Sequence, residues 1–274
     1  MALGAVPAVE ALAKSSTGGV IIGAQTYSFR DRPLDEAIKA LKEADIPLVE
    51  LWQGHIEPAQ TKGTTREDIR KWRTTVSLDT FKEVRRKFDA AKIQIYAYNY
   101  SFREDFTDEE IARGFEFAKA LGIKTLTASS NVSTAKRIDP FAKKAKVRVG
   151  MHNHSNIKPN EFAKPEDFTA AMSGMSEYIA INLDIGHFTA AGFDPVFFLK
   201  ENHKRIVTLH IKDRKKNQGA NVVFGEGDTP IKQVLQTLKT MKLKIPANIE
   251  YEYKGADSLV EVKKCVEYCK KALA

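Results

Sequence analysis

The chain has 274 residues, 43% hydrophobic and 28% charged, ordinary values for a globular protein with a sizeable core. No apolar run approaches the roughly 18 residues needed to span a bilayer as a helix. The formal net charge is +8. The basic residues are spread along the chain, with clusters at Arg85-Arg86-Lys87 and Arg214-Lys215-Lys216, and read as solvated faces rather than a nucleic-acid footprint.

Residues 1–19, MALGAVPAVEALAKSSTGG, are unlike the rest, first Ala-rich and then Ser/Thr/Gly-rich. They are expected to form a flexible arm, the remnant of an export signal that has lost its charged start and apolar stretch. That reading places the mature protein in the periplasm or otherwise outside the cytoplasm, with the cytoplasm as the alternative.

From residue 20 to 274 short apolar runs alternate with longer segments of helical spacing. The first run is 20–26, and the helix after it, 34–44, has apolar residues at 34, 37, 38 and 41, one helix face. Runs follow at 47–51 and 93–98, separated by a helix at 78–91, then a helix at 108–121 and a run at 125–128. A weaker helix at 137–146 leads to a run at 147–152, a helix at 165–172, a run at 179–184 and a helix at 195–201. The chain ends with a run at 206–211, a helix at 231–241, a run at 247–251 and a helix at 258–273. Cys265 and Cys269 lie one turn apart on that last helix and form neither a disulfide framework nor a zinc pattern.

Such alternation predicts parallel strands with crossover helices. Eight runs at about 29 residues per unit predict one (β/α)8 barrel, a TIM barrel, over residues 20–274. A doubly wound open sheet is the alternative. It usually carries a glycine-rich turn after its first strand, where this chain reads Tyr27-Ser28-Phe29-Arg30-Asp31.

In a parallel barrel the active site lies at the C-terminal strand ends. The run ends here carry Glu50, His152-Asn153-His154, Asp184 to His187, His210-Ile211-Lys212 and Glu250-Tyr251-Glu252. Five of the six histidines, these four and His55, fall on or just after run ends, and His203 is the exception. Imidazole and carboxylate together suit a divalent ion such as Mn, Zn, Co, Mg or Fe. Asp184, His210 and Glu250 come from three consecutive strand ends, which converge on the axis of a closed barrel, and His152 supplies a fourth ligand. A lone strand-end His or Asp is more often a helix cap, but four in consecutive strands favour a metal.

These residues also carry a family resemblance. NLDIGH (182–187), LHIKD (209–213), IEYE (249–252), AQTYSFRD (24–31) and VELW (49–52) resemble the xylose-isomerase-like sugar isomerase and epimerase superfamily. That superfamily also contains inosose dehydratases, keto-glycoside lyases and endonuclease IV. The resemblance covers roughly residues 20 to 255 and implies the barrel fold. It implies a metal held by an acidic residue on strand five, an Asp on strand six, a His on strand seven and a Glu on strand eight. Asp184, His210 and Glu250 match, whereas His152 stands where the strand-five glutamate is usual. In epimerases of the group the two glutamates are the acid/base pair. A His in that place keeps a proton-transfer group but changes its charge and pKa. A lyase or dehydratase on a keto-sugar, 3-keto-glycoside or inosose therefore rises as the rival.

The expected chemistry is metal-assisted proton abstraction next to the carbonyl of a small carbohydrate, with Glu250 or His152 as base. His187 is placed to touch a substrate hydroxyl or carbonyl, Lys212 to stabilise oxyanion charge, and Glu50 to act as a base or hold a hydroxyl. Tyr27, Trp52, His154 and Phe188 are expected in the sugar pocket, with Phe29 and Tyr98 as further aromatic candidates and Glu226 as a loop candidate. Nucleic acid and membrane are not expected as partners; a homo-oligomer is left open. Strand ends three and four, Tyr98-Asn99-Tyr100 and Ser129-Ser130-Asn131, lack the histidines a three-metal nuclease needs. A non-catalytic sugar-binding barrel is the remaining reading.

Overall fold

In the computed structural model, which describes residues 16–59 and 61–274, the eight apolar runs become eight parallel strands. They are β1 (Val20–Gln25), β2 (Leu48–Trp52), β3 (Gln94–Asn99), β4 (Thr125–Ala128), β5 (Arg148–His152), β6 (Ile179–Asp184), β7 (Ile206–Ile211) and β8 (Ala247–Ile249). Each pairs with the next, and β1 also pairs with β8 through Gly23↔Asn248, so the sheet closes. The helices around it are α1 (Leu34–Glu43), α2 (Arg66–Thr75), α3 (Leu78–Ala90), α4 (Asp108–Ala120), α5 (Thr134–Ala145), α6 (Pro165–Met172), α7 (Ile185–Ala190), α8 (Pro195–Asn202), α9 (Ile231–Thr240) and α10 (Ser258–Leu273). This is a single (β/α)8 barrel. Closure leaves no open sheet edge and rules out the doubly wound alternative.

The N-terminal boundary differs from expectation. Ser16–Thr17 pair antiparallel with the start of β1, Ser16↔Ile21 and Thr17↔Val20, across a turn at Gly18-Gly19. Residues 16–19 thus belong to the fold, and the expected export remnant lies in 1–15, outside the described residues. Among the described residues no helix is long and apolar enough to cross a membrane.

The core between strands and helices is largely aromatic. Phe81 of α3 stacks on Phe117 of α4 at 4.0 Å and meets Tyr98 edge-on. Three expected pocket aromatics belong to this core. Phe188 is fully buried against Phe193 and Phe198, because it lies on the face of α7 that packs on α8. Tyr98 and Phe29 are likewise fully buried. Cys265 and Cys269 are free and buried on α10.

Helix α2 was not legible as a helix. Its sequence, REDIRKWRTT, has only Ile69 and Trp72 to bury. It is started by a capping box between Thr65 and Asp68 and anchored by charge. Arg73 makes two 2.8 Å hydrogen bonds to Glu57, while Arg66 and Arg70 donate to the fully buried Glu110 of α4.

Candidate metal centre

The strand register places the four predicted ligands side by side. Asp184 pairs directly with His210 across β6–β7, and His152 pairs with Asn182, two residues before Asp184. Glu250 follows β8, its backbone N–H donating to Ile211 O at 3.0 Å. One donor atom from each of His152, Asp184, His210 and Glu250 lies within 4.8 Å of the others, and all four residues are buried. His152 Nε2 is 3.6 Å from Asp184 Oδ2, and His210 Nδ1 is 4.0 Å from Asp184 Oδ2 and 3.1 Å from Glu250 Oε2. Ligand bonds of roughly 2.0–2.2 Å put two ligands of one ion at most about 4.4 Å apart, and the 3.6, 4.0 and 3.1 Å separations fall inside that limit. His152 Nε2, Asp184 Oδ2, His210 Nδ1 and Glu250 Oε2 are also all buried without a hydrogen-bond partner. Lys212 ion-pairs with two of them, Asp184 Oδ2 and Glu250 Oε2, but the imidazole nitrogens His152 Nε2 and His210 Nδ1 stay without a hydrogen bond, which is costly unless a cation joins the set. The residues present therefore fit a divalent ion.

Each ligand is aimed by a neighbour. Asn153, which sequence reading did not single out, clamps the Asp184 backbone: its Nδ2 donates to Asp184 O at 3.0 Å and its Oδ1 accepts from Asp184 N at 2.9 Å. Asp184 caps α7, its Oδ1 accepting from His187 N at 2.7 Å, which leaves Oδ2 for the centre. His152 turns Nδ1 toward Ser129 Oγ at 3.4 Å, leaving Nε2 inward. His210 Nε2 lies 3.0 Å from Glu50 Oε2 and 3.1 Å from the Asn182 amide. Glu50 is fully buried below the mouth, and its Oε1 accepts from Gln25 Nε2 at 2.7 Å and Thr127 Oγ1 at 2.6 Å. Both its oxygens are engaged inside the barrel. One of them, Oε2, faces the His210 imidazole.

Lys212 completes the electrostatics. Its buried ammonium lies 3.2 Å from Asp184 Oδ2 and 2.9 Å from Glu250 Oε2, and it donates to Glu252. Burial opposes its charge, but the three carboxylates outweigh that and raise its pKa. Burial would likewise raise the Asp184 carboxyl, but Lys212, His187 and His152 hold it well below the ordinary range. Glu250 is held low against burial by Lys212 and His210. His210 is raised, burial being overcome by Glu50 and Glu250. His187 is shifted well below its ordinary value, chiefly by burial, and is neutral. Its Nε2 lies 3.2 Å from Lys212 Nζ and its Nδ1 2.6 Å from Arg214 Nη1. A neutral imidazole accepts at one nitrogen only, so one of these cations faces an N–H.

The other candidates scatter around the mouth. His154 is solvent-exposed, its ring 4.9 Å from that of His152 and 5.3 Å from that of His187. Tyr27 and Trp52 are half-buried and edge-on to each other at 5.0 Å, over the β1–β2 side. Glu226 is exposed in the loop after β7. That loop is tied down by Asp213, whose carboxylate accepts from the backbone of Gly225, Gly227 and Thr229. A Cβ on Gly227 would come within 1.8 Å of Asp213 Oδ1, so only glycine fits there.

The chain belongs to the xylose isomerase-like TIM barrel family, whose model matches residues 25–271. No curated protein matches it by sequence. Among solved structures it is similar to a sugar phosphate isomerase/epimerase from Parabacteroides distasonis, at 20% identity over 90% of this chain and 94% of that one, TM-score 0.65. A probable 3-DHS dehydratase from Bacillus anthracis is 14% identical over 90% and 97%, TM-score 0.68. An IOLI protein with a bound zinc atom is 16% identical over 92% and 95%, TM-score 0.66. At these identities the likeness is one of fold.

Proposed function

We propose that the chain is a divalent-metal-dependent enzyme that abstracts the proton next to the carbonyl of a small carbohydrate, leading to isomerisation or epimerisation. The observation that carries this is the convergence of four buried donor atoms on His152, Asp184, His210 and Glu250, none of them in a hydrogen bond and two, on Asp184 and Glu250, beside the Lys212 ammonium. The zinc named for the IOLI protein on the same fold supports a metal here. When bound, one ion would polarise the carbonyl and acidify the neighbouring C–H.

The protein's own groups then divide the work. Glu250 is the carboxylate that takes the proton from carbon. Lys212, 2.9 Å from Glu250 and 3.2 Å from Asp184, can donate to oxygen that gains negative charge. His152 points Nε2 into the cluster, so we assign it the ligand role. His187, next to Lys212, is the side chain we assign to a substrate hydroxyl or carbonyl. Glu50 positions His210. Tyr27 and His154 stand where substrate hydroxyls would arrive.

A second reading is favoured by His152, an imidazole where the family resemblance implies a second acid/base carboxylate. Elimination of a β-substituent needs only the first proton transfer, so a lyase or dehydratase on a keto-sugar, 3-keto-glycoside or inosose fits the same centre. Incubation of Mn2+-loaded protein in deuterated water with ketoses and keto-glycosides tests both readings. Deuterium at the carbon next to the carbonyl, dependent on metal and on Glu250, is expected. Turnover without label there would contradict proton abstraction with solvent exchange.

A further inference from the structure

Helix α2 belongs to an excursion that the barrel itself does not require. The connection from β2 to α3 runs over residues 53–77, against 26–33 after β1, 100–107 after β3 and 129–133 after β4. Connections of this type are usually about 2–6 residues. The excursion is costly in charge burial, since Glu57, Arg73 and Glu110 are all buried to hold it. Its effect is to wall a chamber of about 1120 Å3 at the mouth, above the roughly 300–1,000 Å3 of ordinary small-molecule pockets.

None of the four ligand residues lines this chamber. A separate cleft of about 600 Å3, lined by His154, His187 and Arg214, lies on the other side of Arg103, which borders both. The four ligand residues line neither space, but the cleft is bordered by His154 and His187, the neighbours of His152, and the chamber is not.

The chamber holds a fixed aromatic ring. Trp52 ends β2, stands edge-on to Tyr27 at 5.0 Å and to His55 at 5.4 Å, and is half-buried. The chain passes so close to its indole that a Cβ on Gly54 would lie 2.3 Å from Cζ2 and Cη2. A larger residue at 54 would push the indole out of this position. Arg30 and Arg103 are both exposed at the chamber wall with no carboxylate partner among the described residues; Arg30 is positioned by Nη1 bonds to Tyr27 O and Tyr251 O, and its remaining donors and those of Arg103 are left for hydroxyls. An aromatic surface with a few flanking donors is the usual make-up of a site for a polar ring.

We propose that the substrate carries a second ring joined to the one that reacts, and that the chamber over Trp52 receives it. This rests on the carbohydrate-enzyme reading above and narrows it from free monosaccharides to glycosides or disaccharide-derived compounds.

The test uses Mn2+-loaded protein and matched ligand pairs built on glucose, galactose, mannose and xylose. In each, the methyl glycoside is compared with a disaccharide and with a 4-nitrophenyl glycoside by calorimetry or saturation-transfer NMR. In at least one series a two-ring ligand is expected to bind about tenfold tighter than the methyl glycoside, roughly 1.4 kcal/mol. The disaccharide and aryl arms tell whether the second ring is a sugar or an aromatic group. Trp52→Ala and, independently, Gly54→Ala should remove that preference with Mn2+ uptake unaltered. No preference in any series, or a preference that survives both substitutions, overturns the proposal. Failure of the wild-type protein to take up Mn2+ would instead tell against the parent reading, which the ring preference does not measure.

Discussion

Replacing Glu50 by glutamine should weaken the metal centre from one layer below it. The substitution keeps size and shape. Glu50 Oε1 accepts from Gln25 and Thr127 at 2.7 and 2.6 Å, so the amide oxygen stays on that side and the new NH2 group faces His210 Nε2. With the carboxylate present, Nε2 carries a proton and donates it over 3.0 Å to Oε2, which frees the Nδ1 lone pair for a ligand bond. With an amide donor there, the favoured tautomer puts the proton on Nδ1, pointing into the centre. Loss of such a supporting partner costs about 10–100-fold in metal affinity, roughly 1.4–2.7 kcal/mol. Chelator competition for Mn2+ or Zn2+, wild type against Glu50→Gln, reads this directly. Thr127→Val, which removes one donor to Oε1 and leaves the tautomer alone, should change affinity by less than about threefold. Unchanged affinity in a folded Glu50→Gln protein would refute the orienting role. Unchanged affinity with proton exchange abolished would make Glu50 a proton-transfer group.

Phe81→Ala should destabilise the protein by about 3–5 kcal/mol in urea unfolding, because it empties the stack between α3 and α4. A loss below about 1 kcal/mol would mean the site collapses around the void. Arg73→Met leaves Glu57 and Glu110 buried with fewer partners and should cost about 3–5 kcal/mol, where an unchanged midpoint would show the network to be dispensable. Despite the +8 charge, the pure protein should not nick an abasic DNA duplex. Metal-dependent nicking lost in Glu250→Gln would contradict that.

The strands and most helices were legible because period and length survive without knowledge of packing. The clustering of His152, Asp184, His210 and Glu250 was legible because closing a parallel barrel brings consecutive strand ends to one axis, whatever the details. Orientation was less accessible. Phe188 lies four residues beyond Asp184, and only the helix that Asp184 caps turns it into the core rather than the mouth. Glu50 reads like any strand-end carboxylate until the register Gln25↔Glu50 sets it below the centre. Helix α2 was missed because ion pairs substitute for an apolar face. Asn153 and Asp213 act on backbone groups, which leave no mark in sequence spacing; the one available signal was Gly225-Glu226-Gly227, whose second glycine admits the Asp213 carboxylate.

Elemental analysis of protein purified without chelator, combined with ligand substitution, tests the central claim most directly. One equivalent of a divalent ion per chain is expected, retained after desalting or restored by Mn2+ or Zn2+. It should be lost in Asp184→Ala and in His210→Ala, whose side chains face each other across β6 and β7. A wild-type protein that takes up no divalent ion, or a double variant that keeps a full equivalent, would contradict the assignment of His152, Asp184, His210 and Glu250 as the metal centre.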